Sequence, residues 1–539
     1  MSVFWIKTLQ LLLCFALLII LHEGGHFFFS KLFGVKVEKF FMFFDYKFHL
    51  FSTRDKWFAR LFPRIARNET EYGIGWIPLG GYVKIAGMID ESMDTEQMQQ
   101  PVQPNEFRAK PVWQRFLIMV GGVLVNFLLA LFIYAMILFA WGQDTLPMRN
   151  ISNGFSFNEM AESVGFRDGD IPIRADDKDI SQWDGNVFRT ISEAHTITVL
   201  RGGREVVLTM PDEGLNLLDM INQEPRFLTA NVEAVIDTVL PGTPAYEAGI
   251  RGGHRIAAID GKPVQWWSDF DDIMGRKADI LAAGCSHQDS LRLRHLTITI
   301  TAPASAAATD SAATASANTA TVAAATETTD TATVTAPTAT AATATASTAT
   351  ATAPTTPAST TTATASTSSS PSVSVLGGFP AEISLTLDEN YKLGIVKKTA
   401  YSAYKLEHHD YSFFSSIPAG IAYGWQTLKG YVSDLKYLFS KQGAKSVGSF
   451  GTIGNLFPAV WDWQAFWNIT AFISIILAVM NILPIPGLDG GHIFFLLVEA
   501  VTRRPPSDKF MERAQMLGML LLFGLMALAI FNDVVKFLF

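Results

Sequence analysis

Four stretches of this chain are long and apolar enough to cross a bilayer, and they constrain the fold more than anything else in it. They run from about Val3 to Phe33, over 116–141, over 466–483 and over 516–531, with flanks that could extend the last. Hydrophobic residues are 49% of the 539, and mean hydropathy is +0.23. Those values suit membrane spans joined to sizeable aqueous domains. The net charge of −8 gives no case for nucleic-acid binding. With only Cys14 and Cys285, and no C-x-x-C, neither a disulfide scaffold nor a thiolate metal site is expected. No A-x-A-like cleavage site follows the first apolar run, so it reads as a retained span.

Lysine and arginine near the span ends set the orientation. Nine basic residues lie between Lys31 and Arg67, three more precede the second span, and Arg503, Arg504, Lys509 and Arg513 separate the third from the fourth. The approach to the third span, "PAVWDWQAFWN", has no basic residue and three tryptophans. Loops 34–112 and 500–513 are therefore expected in the cytoplasm, with both termini and the central segment outside.

In the central segment, "NVEAVIDTVLPGTPAYEAGIRGGHRIAAIDGKPV" (231–264) reads as strand, Pro-Gly turn, short helix, Gly-Gly turn, strand and Asp-Gly turn. A weaker copy runs over 155–185. The pair resembles two tandem PDZ domains of the bacterial envelope-protease type, although Gly253-His254 stands where Gly-Asp is usual. Such grooves would bind extended peptides by strand addition; the alternative is two β-rich domains with empty grooves. Residues 302–372 are almost wholly Ala, Thr, Ser and Pro. They cannot bury enough apolar area to offset their ordering entropy and are expected to be a disordered excursion from a hairpin tip, or a glycosylated stalk. Apolar residues at helical spacing over 412–440 suggest an amphipathic helix, resting on the outer membrane interface or packed on the PDZ-like domains.

The chemistry concentrates in "HEGGH". His22 and His26 are four apart, so both project from one helix face and can share a metal ion, with zinc preferring such nitrogens. Glu23 beside them can take a proton from metal-activated water. Counted from Lys7, His22 lies roughly 20 Å deep in a core about 30 Å thick. Unpaired His and Glu there would be costly, and a metal removes the difficulty. In "NILPIPGLDGGH" (481–492), Pro484 and Pro486 break the third span. Asp489 then sits on irregular backbone near the same face and is the expected third ligand, with His492 as rival.

HExxH in a first span, with Asn481, Pro484, Pro486, Leu488, Asp489 and Gly490 matching N-x-x-P-x-P-x-L-D-G in a later one, resembles the site-2 protease family of intramembrane zinc metalloproteases. The span order, the PDZ-like pair and "IPLGGYVK" (77–84) are similar to its bacterial regulator-of-sigma-E protease subgroup. The resemblance implies zinc held by His22, His26 and Asp489, and Glu23 as general base. Asn481 would hold substrate backbone or, alternatively, cap the helix break. Residues 74–87 alternate as a hairpin would, and in the family such a hairpin pairs with unwound substrate, which implicates Gly80, Gly81, Tyr82 and Val83. Three departures stand out: "FFMFFDY" in place of a glycine-rich turn, Val123 after Gly122 where proline is common, and Thr452 where proline is usual. Asn126 resembles the family's second-span asparagine.

The expected fold is a polytopic α-helical membrane protein of four transmembrane helices, with two β-rich PDZ-like domains between spans two and three. The expected division is a first span (1–33), a cytoplasmic loop with a membrane-associated β-hairpin (34–112) and a second span (113–141). PDZ-like domains follow at 142–226 and 227–396, then an amphipathic helix and linker (397–462). A third span (463–499), a cytoplasmic loop (500–513) and a fourth span (514–539) complete the chain. The resemblance implies an inner-membrane metalloprotease with its PDZ-like domains in the periplasm. It would perform regulated intramembrane proteolysis on single-span membrane proteins, such as an anti-sigma factor or signal-peptide remnants, after a prior cut outside. The alternative is a catalytically idle PDZ scaffold that binds envelope peptides.

Overall fold

The computed structural model describes residues 3–78, 80–88, 101–211, 214–223, 225–284, 286–301, 381–388, 391–438, 440 and 448–538. It divides into two compact units. One is built from the two ends of the chain, Met1–Asp144 and His408–Phe539; the other begins at Thr145 and ends at Glu407.

The terminal unit holds six principal helices: α1 (Val3–Leu32), α2 (Val112–Trp141), α3 (Phe413–Leu438), α4 (Trp463–Ile482), α5 (Asp489–Thr502) and α6 (Asp508–Leu538). Among the described residues, four segments are long and apolar enough to cross a membrane: α1, α2, α4 and Lys509–Val535 within α6. Their ends follow from local chemistry. After α1, Gly34 at φ 66° turns the chain in the left-handed conformation. Pro111, which lacks an N–H, precedes α2, and Gly142 at φ 67° closes it. The Asp462 carboxylate caps α4 by accepting from the Ala465 N–H at 2.9 Å. The span expected as 463–499 is broken at residues 483–488, as its two prolines dictate, and restarts as α5 at Asp489.

Helix α1 meets α2 at glycines. A Cβ on Gly25 would lie 2.2 Å from the Gly121 carbonyl oxygen, so the two backbones touch. Helix α3 packs along α2. A Cβ on Gly420 would fall 2.4 Å from the Ala135 nitrogen, and the Tyr134 and Tyr423 rings are 4.8 Å apart. The helix expected over 412–440 is present, and Gly420 and Gly424 on one face let it approach α2 closely. The segment before α4 is tied to α6 by Asp533, whose carboxylate accepts from the N–H and hydroxyl of both Ser449 and Thr452. A proline at 452 could supply neither donor.

Between α1 and α2 lies a four-stranded sheet of β1 (Val37–Met42), β2 (Phe44–Ser52), β3 (Glu71–Ile77) and β4 (Tyr82–Ile85), in the order β2-β3-β1-β4. The hairpin expected over 74–87 is not formed. Strand β1 lies between β3 and β4, parallel to the first and antiparallel to the second. Alternation identified two strands correctly but carries no information on their partners. In place of a glycine-rich turn, Phe43 adopts φ 69° between β1 and β2, a conformation that costs a residue with a Cβ roughly 1–2 kcal/mol.

The central unit contains two lobes of one topology. In the first, β5 (Phe155–Phe157) pairs with β10 (Leu228–Ala230) beside a sheet ordered β9-β8-β6-β7. Those strands are β6 (Ile171–Ala175), β7 (Lys178–Asp179), β8 (Thr196–Arg201) and β9 (Arg204–Thr209). The second repeats the plan: β11 (Ile236–Val239) pairs with β16 (Ile395–Lys397), and the sheet runs β15-β14-β12-β13. Here the strands are β12 (Arg255–Ile259), β13 (Lys262–Pro263), β14 (His295–Thr301) and β15 (Ala381–Thr386). The boundary expected at 226/227 moves, because β10 closes the first lobe. The turn before each sheet repeats as well. Arg167 donates its N–H to Asp170, and Arg251 donates its own to His254, so the histidine takes the aspartate's place. Asp170 is buried and held bidentately by Arg201 at 2.7 and 2.8 Å. Strands β14 and β15 are antiparallel neighbours with Ile300 opposite Ala381, so the Ala/Thr-rich tract joins two paired strands; the tract itself lies outside the described residues.

Candidate metal centre

Three side chains far apart in sequence converge inside the terminal unit. His22 and His26 project from one face of α1, and Asp489 is the first residue of α5. His22 Nε2 lies 3.1 Å from Asp489 Oδ2, and His26 Nε2 lies 3.3 Å from it. The two Nε2 atoms are 3.4 Å apart. Yet Asp489 Oδ2 is buried without a hydrogen-bond partner. The carboxylate oxygen is thus close to both imidazoles without an aligned hydrogen bond to either. Tetrahedral zinc with bonds of about 2.0–2.1 Å separates its ligands by about 3.3 Å, which matches all three edges. The donor set fits zinc. Among the described residues these three form the one such group; His492, the rival ligand, is outside it.

Helix α2 holds the imidazoles from behind. His26 Nδ1–H donates to the Ile118 carbonyl at 2.8 Å, which leaves Nε2 unprotonated for a metal. One turn on, a Cβ at Gly122 would lie 2.4 Å from His26 Nε2 and 2.7 Å from His22 Cε1. Only glycine fits there. A further turn on, the Asn126 amide is 3.4 Å from His22 Nδ1, and Asn126 Oδ1 is buried with no partner. The amide orientation that satisfies both groups turns Oδ1 toward an Nδ1–H, which again frees Nε2. Helix α5 is fastened to α2 as well. Glu499 accepts from Arg115 at 2.6 and 3.2 Å, a bidentate pair whose side chains are only 11% and 15% exposed.

Of the other expected residues, Glu23 follows His22 on α1, and its carboxylate accepts from the Val83 backbone N–H. The edge strand β4 therefore runs beside the centre. Gly81 lets it approach α1, since a Cβ there would fall 2.6 Å from Ile19 Cγ2. Gly80 sits under the Phe44 ring. The Tyr82 ring stacks on Phe41 and its hydroxyl donates to Asp45 at 3.0 Å. Asn481, in the last turn of α4, has its amide 3.4 Å from His22 Nε2. Gly122, Ile118, Arg115 and Glu499 join the site although no motif in the sequence marks them. The paired glycines of "HEGGH" and "VGGV" are the only hint in the sequence that the two helices touch here.

Four candidate spans enclosing a His, His, Asp donor set with a glutamate beside it define the class: a membrane-bound zinc metalloprotease. The chain belongs to peptidase family M50, the site-2 proteases, whose family model matches residues 10–525. It is 24% identical to the Regulator of sigma-E protease RseP of Escherichia coli, over 96% of this chain and 95% of that one. It is 25% identical to the protein of the same name from Salmonella typhimurium, over 99% of each chain. A Ralstonia nicotianae protein that carries the name of a zinc metalloprotease is 25% identical over 98% of each. Its family makes it an enzyme of regulated intramembrane proteolysis.

Proposed function

We propose that this chain cleaves single-span membrane proteins within the bilayer, with zinc held by His22, His26 and Asp489. The observation that carries the reading is the triangle of donor atoms, with edges of 3.1, 3.3 and 3.4 Å, beside Glu23 on a candidate span. Bound zinc supplies Lewis-acid polarisation of the scissile carbonyl and lowers the pKa of attacking water. Glu23 takes the proton from that water and returns it to the leaving amine. A substrate helix must unwind first, because helical hydrogen bonds occupy its carbonyls. The free edge of β4 at Tyr82 and Val83, with Gly80 and Gly81 leading into it, pairs with the unwound segment by strand addition, and the Asn481 amide holds its backbone near the metal. The Val83 N–H to Glu23 contact supports this placement of β4.

The two lobes of shared topology are PDZ-like domains on the periplasmic side of an inner membrane, as are both termini. They reject substrates with bulky ectodomains, so that a first cut outside licenses the cut within. An anti-sigma factor or a signal-peptide remnant is the substrate class. Glu23→Gln tests the reading. It should retain zinc, lower cleavage by about 10²–10⁴-fold, and let trimmed single-span proteins accumulate in the membrane proteome. Unchanged processing would favour a membrane-anchored PDZ scaffold.

A further inference from the structure

Between β2 and β3 the chain makes two short helical turns, Lys56–Leu61 and Pro63–Ala66. We propose that these turns are a docking element for the anionic headgroups of the leaflet that borders the Leu32 end of α1. The inference is independent of the proteolytic chemistry.

Four observations carry it. First, Trp57, Leu61 and Ile65 recur four residues apart, and all three side chains are exposed, Leu61 at 68%. Lys56, Arg60 and Arg64 recur at the same spacing one residue earlier, and Arg67 follows. Exposed apolar side chains that each follow a cation, on two short turns separated by the non-helical Phe62, suit the headgroup boundary of a bilayer. Second, none of these four cations makes an ion pair among the described residues, whereas the one acid of the segment, Asp55, accepts from His49 at 2.9 Å. A cluster of unpaired cations in a chain of net charge −8 has an external partner of opposite sign.

Third, the turns are held in place rather than trailing. Phe58 packs on Phe51 of β2 with ring centroids 5.1 Å apart, and the Trp57 ring is 5.8 Å from Phe51. The Arg54 guanidinium donates to the Ala66 and Asn68 carbonyls at 3.1 and 2.8 Å, which closes the far end. Fourth, the sheet that carries them lies beside a span. Gly81 packs on Ile19, about 20 Å along α1 from Leu32, so the sheet is anchored by its β4 edge to a candidate span. Tyr46, Phe48 and Trp76 of the same sheet are exposed as well, with the Phe48 and Trp76 rings stacked 5.1 Å apart.

The test uses the full-length protein in nanodiscs. Cys285→Ser leaves the buried Cys14 as the one native thiol, and Leu61→Cys then carries an environment-sensitive fluorophore. In discs containing phosphatidylglycerol the probe should emit to the blue and be quenched by brominated acyl chains. In purely phosphatidylcholine discs both effects should shrink, and raising the salt should reverse the anionic increment. Reversing Lys56, Arg60, Arg64 and Arg67 to glutamate should abolish the lipid dependence and leave the protein's melting temperature unchanged. Identical emission in the two lipids, in unaltered turns, overturns the proposal without reliance on the charge variant. A blue shift that appears only with added substrate also overturns it, because the occupant would then be a polypeptide.

Discussion

Replacing Gly122 with alanine should empty the metal centre while leaving the fold nearly intact. The added Cβ would lie 2.4 Å from His26 Nε2, 2.7 Å from His22 Cε1 and 2.9 Å from His22 Nδ1. An ordinary carbon contact needs about 3.5 Å, so the His26 nitrogen must retreat by about 1.1 Å. Parting the helices to relieve this would forfeit the close Gly25–Gly121 packing one residue away, so the imidazoles give way first. Zinc tolerates ligand displacements of about 0.2 Å, so the donor is lost. Disturbing a ligand's outer support alone weakens binding 10–100-fold; displacing the ligand should cost at least about 100-fold. Zinc affinity by chelator competition, cleavage of a single-span reporter in proteoliposomes and thermal unfolding together form the assay. Gly24→Ala is the matched control inside the same motif, since nothing lies within 4 Å of its added Cβ. It should keep zinc and activity and gain up to about 1 kcal/mol of helix stability. A Gly122→Ala protein that binds zinc like wild type, or a Gly24→Ala protein equally impaired, would refute the reasoning.

Asn126→Ala should weaken zinc binding 10–100-fold by releasing the His22 tautomer, whereas Asn126→Asp, which keeps an acceptor for Nδ1–H, should recover most of it in the same titration. Glu499→Gln leaves the Arg115 guanidinium buried without its counter-charge and should destabilise the protein by about 3–5 kcal/mol; the exchange Arg115→Glu with Glu499→Arg should restore much of the lost melting temperature. His408 titrates high because its ring donates first to the Asp144 carboxylate and then to that of Asp410. Its contribution to stability is complete below the ordinary histidine pKa of about 6.5 and is lost as pH rises through the elevated folded value. Wild type should therefore outlast His408→Gln in thermal melts at mildly acidic pH, and the gap should close at alkaline pH.

The spans and the donor triad were legible because each rests on a local rule. Hydropathy over about 20 residues marks a helix that must live in lipid, and a four-residue spacing puts His22 and His26 on one face. Two prolines announced the break that leaves Asp489 at a helix start. What failed depends on contacts between distant segments. Alternation over 74–87 says which residues face one way, but the parallel pairing of β1 with β3 is a contact between segments some thirty residues apart. Helix α3 has an amphipathic face whose partner its own sequence does not name. The supports of the site were hidden for the same reason. Arg115 and Glu499 look like ordinary charges at span ends until folding brings together residues separated by most of the chain.

The contact between Gly25 and Gly121 has a consequence for traffic. Helices that meet backbone to backbone leave no gap for an acyl tail, still less for a third helix about 10 Å across, so the α1–α2 side is walled off level with the histidines. That seam is closed to a substrate helix by backbone contact alone, with no side chain needed as a gate. The two glycines thus seal one side of the centre by the same contact that brings the helix of the histidines against the helix that supports them.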